Sequence, residues 1–243
     1  MPITALPSPY GIGTMGQAAY DFVDFLKASG QKYWQLLPVG PTSYGDSPYQ
    51  SFSTYAGNPY LIDLDMLCDE ELLSKEDLRR IDWGSNEQYV DYEKIYNERF
   101  KVLRQAYENF KSRNQQEYWD FMRDEDRWLT DYALYMAVKK LFDDKPWTEW
   151  PDHLIKYRNP DTINHYLNYL NEDVMFWKFV QFLFFKQWRE LKQYANDNGV
   201  LLFGDMPIYV AMDSADTWAN PEVFWLDNEL KPVCVAGCPP DYF

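Results

Sequence analysis

Two short apolar runs fix the outline of this chain. Tyr33-Trp34-Gln35-Leu36-Leu37 and Val200-Leu201-Leu202-Phe203-Gly204 each follow a helix-patterned segment that closes on a glycine, and each reads as a buried strand. The first helix pattern covers Gln17 to Ala28, with Tyr20, Phe22, Val23, Phe25 and Leu26 as its apolar stripe and Ser29-Gly30 as its stop. Asn198-Gly199 closes the second. Helix, tight turn and near-continuous apolar strand is the grammar of a βα unit in a parallel sheet. The chain reads as α/β, interrupted, then α/β resumed.

The interruption is helical. Apolar spacing predicts helices over Tyr89 to Phe110, Gln115 to Met122, Asp126 to Phe142, Thr162 to Leu170 and Asp173 to Asn196, punctuated by Pro146, Pro151 and Pro160. Ser74-Lys75-Glu76-Asp77 has the pattern of a capping box. Trp147 and Trp150 are expected to pack between helices. This divides the chain into residues 1–65, a mainly helical insertion over 66–198, and residues 199–243.

The stretch Gly40 to Leu64, GPTSYGDSPYQSFSTYAGNPYLIDL, follows the first strand run and is too long to be a mere connection, since most connections run roughly 4–6 residues. Its tyrosines Tyr44, Tyr49, Tyr55 and Tyr60 offer flat apolar faces with a hydroxyl at the rim, which suits stacking on sugars or packing on a sheet top. Asp205 stands just past the second strand run, on the carboxyl-end face where parallel sheets place ligands. Ala211 to Phe243 is again loop-rich.

Net charge is −15, which disfavours nucleic acid and anionic membrane partners and leaves neutral ligands unaffected. Three cysteines (Cys68, Cys234, Cys238) and two histidines make no zinc pattern, so no metal is expected and reduced thiols in a cytoplasmic setting are the plain reading. Met1 to Gly16 lacks the layout of a signal peptide, and Val174 to Phe185 is too short to span a bilayer. Gly11-Ile12-Gly13-Thr14-Met15-Gly16 matches G-x-G-x-x-G, but prolines precede it where a strand is required. A glycine-rich lead-in to a helix is the better reading, and no cofactor is expected.

His153 and His165 have no nucleophile context. Carboxylates are abundant, and paired-carboxylate glycosyl chemistry is the live catalytic option. Composition cannot select the pair. Five motifs go further: Tyr33 to Pro38 (YWQLLP), Gly40 to Ser51 (GPTSYGDSPYQS), Gly57 to Asp63 (GNPYLID), Gly204 to Val210 (GDMPIYV) and Val235 to Phe243 (VAGCPPDYF). In this order they resemble the 4-α-glucanotransferases, the amylomaltase or disproportionating-enzyme family.

The resemblance implies a (β/α)8 TIM barrel, partial here, with the helical insertion between its second and third strands. It implies transfer of α-1,4-glucan segments between malto-oligosaccharides, with glycogen or starch as the underlying glucan, by a retaining double displacement. It also implies substrate-binding residues. Tyr60 matches the tyrosine beside the sugar at the cleavage point, and Asp205 the aspartate that holds the active-site polar network without being the nucleophile. Asp241, Tyr242 and Phe243 match the start of a loop covering the glucan. Ser47 and Gln50 fit a sugar-contacting loop, and Tyr55 a secondary glucan groove.

The family's nucleophile motif, Arg-x-Asp-His, does not occur in the sequence. The catalytic carboxylates are therefore expected beyond Phe243, with this chain as an amino-terminal portion of such an enzyme. The alternative is a non-catalytic glucan-binding or interaction module.

Overall fold

The computed structural model describes every residue except 44, 85, 87, 236 and 238–243. Cys238, Asp241, Tyr242 and Phe243 thus lie outside the described residues. In chain order the helices and strands are α1 (Gln17–Ala28), β1 (Tyr33–Gln35), α2 (Leu64–Asp69), α3 (Lys75–Arg79), α4 (Tyr92–Phe110), α5 (Gln116–Asp124), α6 (Asp126–Leu141), α7 (His153–Lys156), α8 (Pro160–Tyr169), α9 (Asn171–Asp197), β2 (Leu201–Phe203) and α10 (Ala215–Ala219). The fold is mostly helical, with one described sheet of two parallel strands.

The strands pair Tyr33 with Leu201, Trp34 with Leu202 and Gln35 with Phe203. The parallel pairing agrees with the sequence, but the buried character does not. Trp34 and Leu36 are buried while Tyr33, Leu37, Leu201 and Phe203 are exposed. The runs alternate in and out, because only one face of each strand is covered by helices of this chain.

Helix α1 matches its expected bounds. Gly16 caps it without a side chain, and a Cβ there would fall 2.0 Å from the Asp63 carboxylate. Asp63 therefore sits at the positive end of α1, accepts a 2.6 Å hydrogen bond from Thr14 Oγ1, and occupies the space the glycine motif would offer a phosphate. Two insertion helices begin where side chains cap them: Asp91 for α4, Asn159 with Pro160 at the first helical position for α8. Ser74 precedes α3 but makes no side-chain cap, so the expected capping box is not formed.

The core is aromatic and centred on α9, which packs against α1, α4, α5, α6, α8 and β2. Phe110 of α4 meets Phe179 at 4.8 Å between centroids and Tyr118 of α5 at 5.5 Å. Such tilted and edge-on pairs add about 0.5–1.5 kcal/mol each beyond burial. Trp147 and Trp150 are buried; their indole nitrogens donate to Met212 O and Lys145 O. No described helix is long and apolar enough to cross a membrane.

Candidate functional site

The stretch after β1 is built in three pieces. Its outer lobe is pinned by a Thr42–Ser51 bridge, with Ser43 N donating to Gln50 O at 3.0 Å and Gln50 N to Ser47 O at 3.1 Å. Ser47 Oγ accepts from Tyr49 N at 3.3 Å, so Ser47 shapes the turn, while the Gln50 side chain is exposed. The middle piece is tied to α10. Asp216 accepts from Thr54 N at 2.8 Å and Thr54 Oγ1 at 3.0 Å, and Ala215 N donates to Phe52 O at 2.8 Å.

The inner piece, Gly57 to Asp63, lies on the helical insertion. Gln181 of α9 accepts from Gly57 N at 2.7 Å and donates to Gly57 O at 3.0 Å. Gln187, further along α9, repeats this with Asp63: 2.7 Å from Asp63 N, 3.1 Å to Asp63 O. Arg99 of α4, wholly buried, donates to Tyr60 O at 2.9 Å and Ile62 O at 3.3 Å. Burial pulls its guanidinium down to about 10, against the pull of Asp63, and it remains cationic at neutral pH.

Between these anchors stands Tyr60, only 7% exposed, its ring 6.4 Å from Tyr92 and 6.1 Å from Phe100. Burial, then the nearby Asp46 charge, pushes its phenol well above the ordinary range. Most of the ring is thus spent on the aromatic cluster.

Asp205 is exposed, two residues past β2, and accepts a 2.6 Å hydrogen bond from Tyr49 OH. That bond, followed by burial, raises the Tyr49 phenol. Asp205, Tyr49 and Tyr55 line one cleft of about 190 Å3, closed below by Phe184 and Trp188 of α9. Tyr60 does not line that cleft. The structure therefore joins Asp205 with Tyr55 and sets Tyr60 behind them.

Sequence reading passed over Tyr49 as a partner of Asp205. It also missed the neighbours of Tyr55, which stacks on Trp128 of α6 at 6.1 Å and 19° and carries the Arg127 guanidinium 5.2 Å from its ring centre. Asp131, Asp216 and Asn220 complete a second cleft there of about 250 Å3, beside the buried, unpartnered Tyr132 hydroxyl. The one available signal was aromatic density in the insertion, and packing explains most of that. Met212 to Ala215 is fastened to α6 by Lys139, almost fully buried, whose Nζ reaches Asp213 at 2.6 Å. Among the described residues no cluster of three or more His, Cys, Asp or Glu is placed to hold a metal.

The sequence model of a family described as 4-alpha-glucanotransferase matches residues 1–243. The chain belongs to the 4-α-glucanotransferase family. It is 52% identical over 244 residues to a 4-alpha-glucanotransferase of Clostridium butyricum, covering 100% of this chain and 50% of that one. For a 4-alpha-glucanotransferase of Streptococcus pneumoniae the identity is 49%, covering 100% and 48%. An amylomaltase from Streptococcus agalactiae, solved in complex with acarbose, superimposes at a TM-score of 0.97 with 45% identity, covering 100% of this chain and 49% of that one. The chain spans about half the length of the 4-α-glucanotransferases it matches.

Proposed function

We propose that this chain forms the substrate-binding part of a 4-α-glucanotransferase that moves α-1,4-glucan segments between malto-oligosaccharides. One observation carries the reading: Asp205, Tyr49 and Tyr55 meet in one cleft, on a backbone matching an acarbose-bound amylomaltase at a TM-score of 0.97. On this reading the fold is part of a (β/α)8 barrel, divided as residues 1–65, an insertion over 66–198 and residues 199–243. The barrel strands are β1 and β2, and α9 is the helix that returns the chain to the barrel.

Each residue has a role in sugar transfer. Asp205, held by Tyr49, orders the polar network around the donor sugar. Tyr60 stands beside the glucose at the cleavage point. Ser47 and Gln50 border the sugar through the outer lobe. Tyr55, levelled by Trp128, makes a platform for a glucan in the adjoining groove. The reacting carboxylates come from the half of the family length that this chain does not span. A retaining mechanism sets that pair about 5–5.5 Å apart. Aromatic walls keep water from competing with the acceptor hydroxyl. The setting is cytoplasmic, without nucleic acid or membrane partners.

Incubating the gene's full product with maltotriose tests this. The expected result is glucose together with longer malto-oligosaccharides. Binding of maltoheptaose without any transfer would favour the non-catalytic glucan-binding module instead, and neither binding nor transfer would refute both.

A further inference from the structure

We infer that Gln181 and Gln187 are positioning residues for sugar transfer: the helical insertion sets, through these two amides, where the Tyr60 segment stands relative to Asp205. The inference rests on the function proposed above and concerns residues that touch no sugar.

Each amide trades both of its polar ends with the N–H and C=O of a single residue, as a neighbouring strand would. Both side chains are at most 1% exposed, so no water competes for these bonds. Filling space would have needed only Leu or Met; a buried amide is costly unless bonded, and these two are placed to specify backbone position.

The spacing makes a register lock. Gln181 reaches back 124 residues to Gly57, and Gln187 reaches back 124 to Asp63. Six residues of helix rise about 9 Å. The loop matches that rise over Gly57–Asp63, with its 3-10 turn at Pro59–Leu61 between the anchors. A slip of one residue would break both pairs together. Close approach is possible because Gly57 has no Cβ; one there would fall 2.0 Å from the Phe184 ring.

The same helix fixes the opposite wall. Val200 N donates to Ala195 O at 2.9 Å where α9 ends, and Leu201 N donates to Lys32 O at 2.8 Å where β2 begins, four residues before Asp205. Helix α9 is thus a single rod from the Tyr60 segment to the strand that presents Asp205.

Gln181→Glu in the gene's full product tests this with maltotriose, kcat and KM being compared with the unaltered protein from pH 5 to 8 and corrected for folded fraction by circular dichroism. A protonated carboxyl offers one donor and one acceptor and restores both bonds to Gly57; an ionised one faces the Gly57 carbonyl with acceptors only. Burial raises that carboxyl into the tested range. The expected result is near-normal kcat/KM at pH 5 and a loss of roughly tenfold at pH 8, the worth of one hydrogen bond. Gln187→Met should lose transfer at every pH.

Equal pH profiles for Gln181→Glu and the unaltered protein, or a Gln187→Met loss explained wholly by unfolded protein, would overturn the inference. No transfer by the unaltered protein would overturn the proposed function instead, and the inference with it.

Discussion

Between Gly57 and Asp63 the backbone is held by three buried side chains of the helical insertion, Gln181, Gln187 and Arg99, beside backbone bonds to Val39 and Met15. Between Gly204 and Val210, a segment that shares with Gly57 the lining of the cleft, Met206, Ile208 and Tyr209 are exposed and one described side-chain bond, Tyr49 to Asp205, reaches the segment. The first wall is finished by this chain's own core. The second receives its position from β2 and α9 and leaves its apolar side chains uncovered. The Gly57–Asp63 segment is thus anchored by distant helices as well as by its own turn at Asn58.

Substitutions can break this contrast, and their effects should fall in a definite order. Arg99→Ala removes a buried cation, two carbonyl partners and the contact with Trp83, and should cost about 3–5 kcal/mol in urea unfolding. Gln187→Leu leaves the Asp63 N–H and C=O unpaired and should cost about 2–4 kcal/mol in the same measurement. Lys139→Met should cost less, about 1–2 kcal/mol, since Asp213 is a third exposed and keeps Tyr135 OH and Trp147 N–H as donors. Tyr49→Phe should leave the unfolding midpoint unchanged and still weaken maltoheptaose binding by calorimetry, because Asp205 loses its only described side-chain partner. A Tyr49→Phe effect on stability as large as that of Gln187→Leu would erase the distinction between the walls.

Much of the fold was legible because its signals are local. Helix α1 ends at Ser29-Gly30 as read, since Gly30 takes the left-handed φ of 75° that such a stop needs. Helix α8 starts earlier than its apolar spacing suggested because Asn159 caps it and Pro160 opens it; the proline was read as punctuation. The strand runs differ from their expected burial for a physical reason: a near-continuous apolar run looks buried on both sides, but burial depends on what covers each face. The site was less legible still. Tyr49 and Asp205 lie 156 residues apart, and Gln181 and Gln187 sit in a helix where glutamine ordinarily reads as a surface residue. Only the folded chain brings those amides to Gly57 and Asp63.

Amide hydrogen exchange, resolved by residue, tests the central contrast most directly. The Gly57 and Asp63 amides, each bonded to a buried glutamine, should exchange only with global unfolding, while those of Ile208, Tyr209 and Val210 should exchange by local opening at a far lower free energy. Equal protection of the two segments, or early exchange at Gly57 and Asp63, would contradict it.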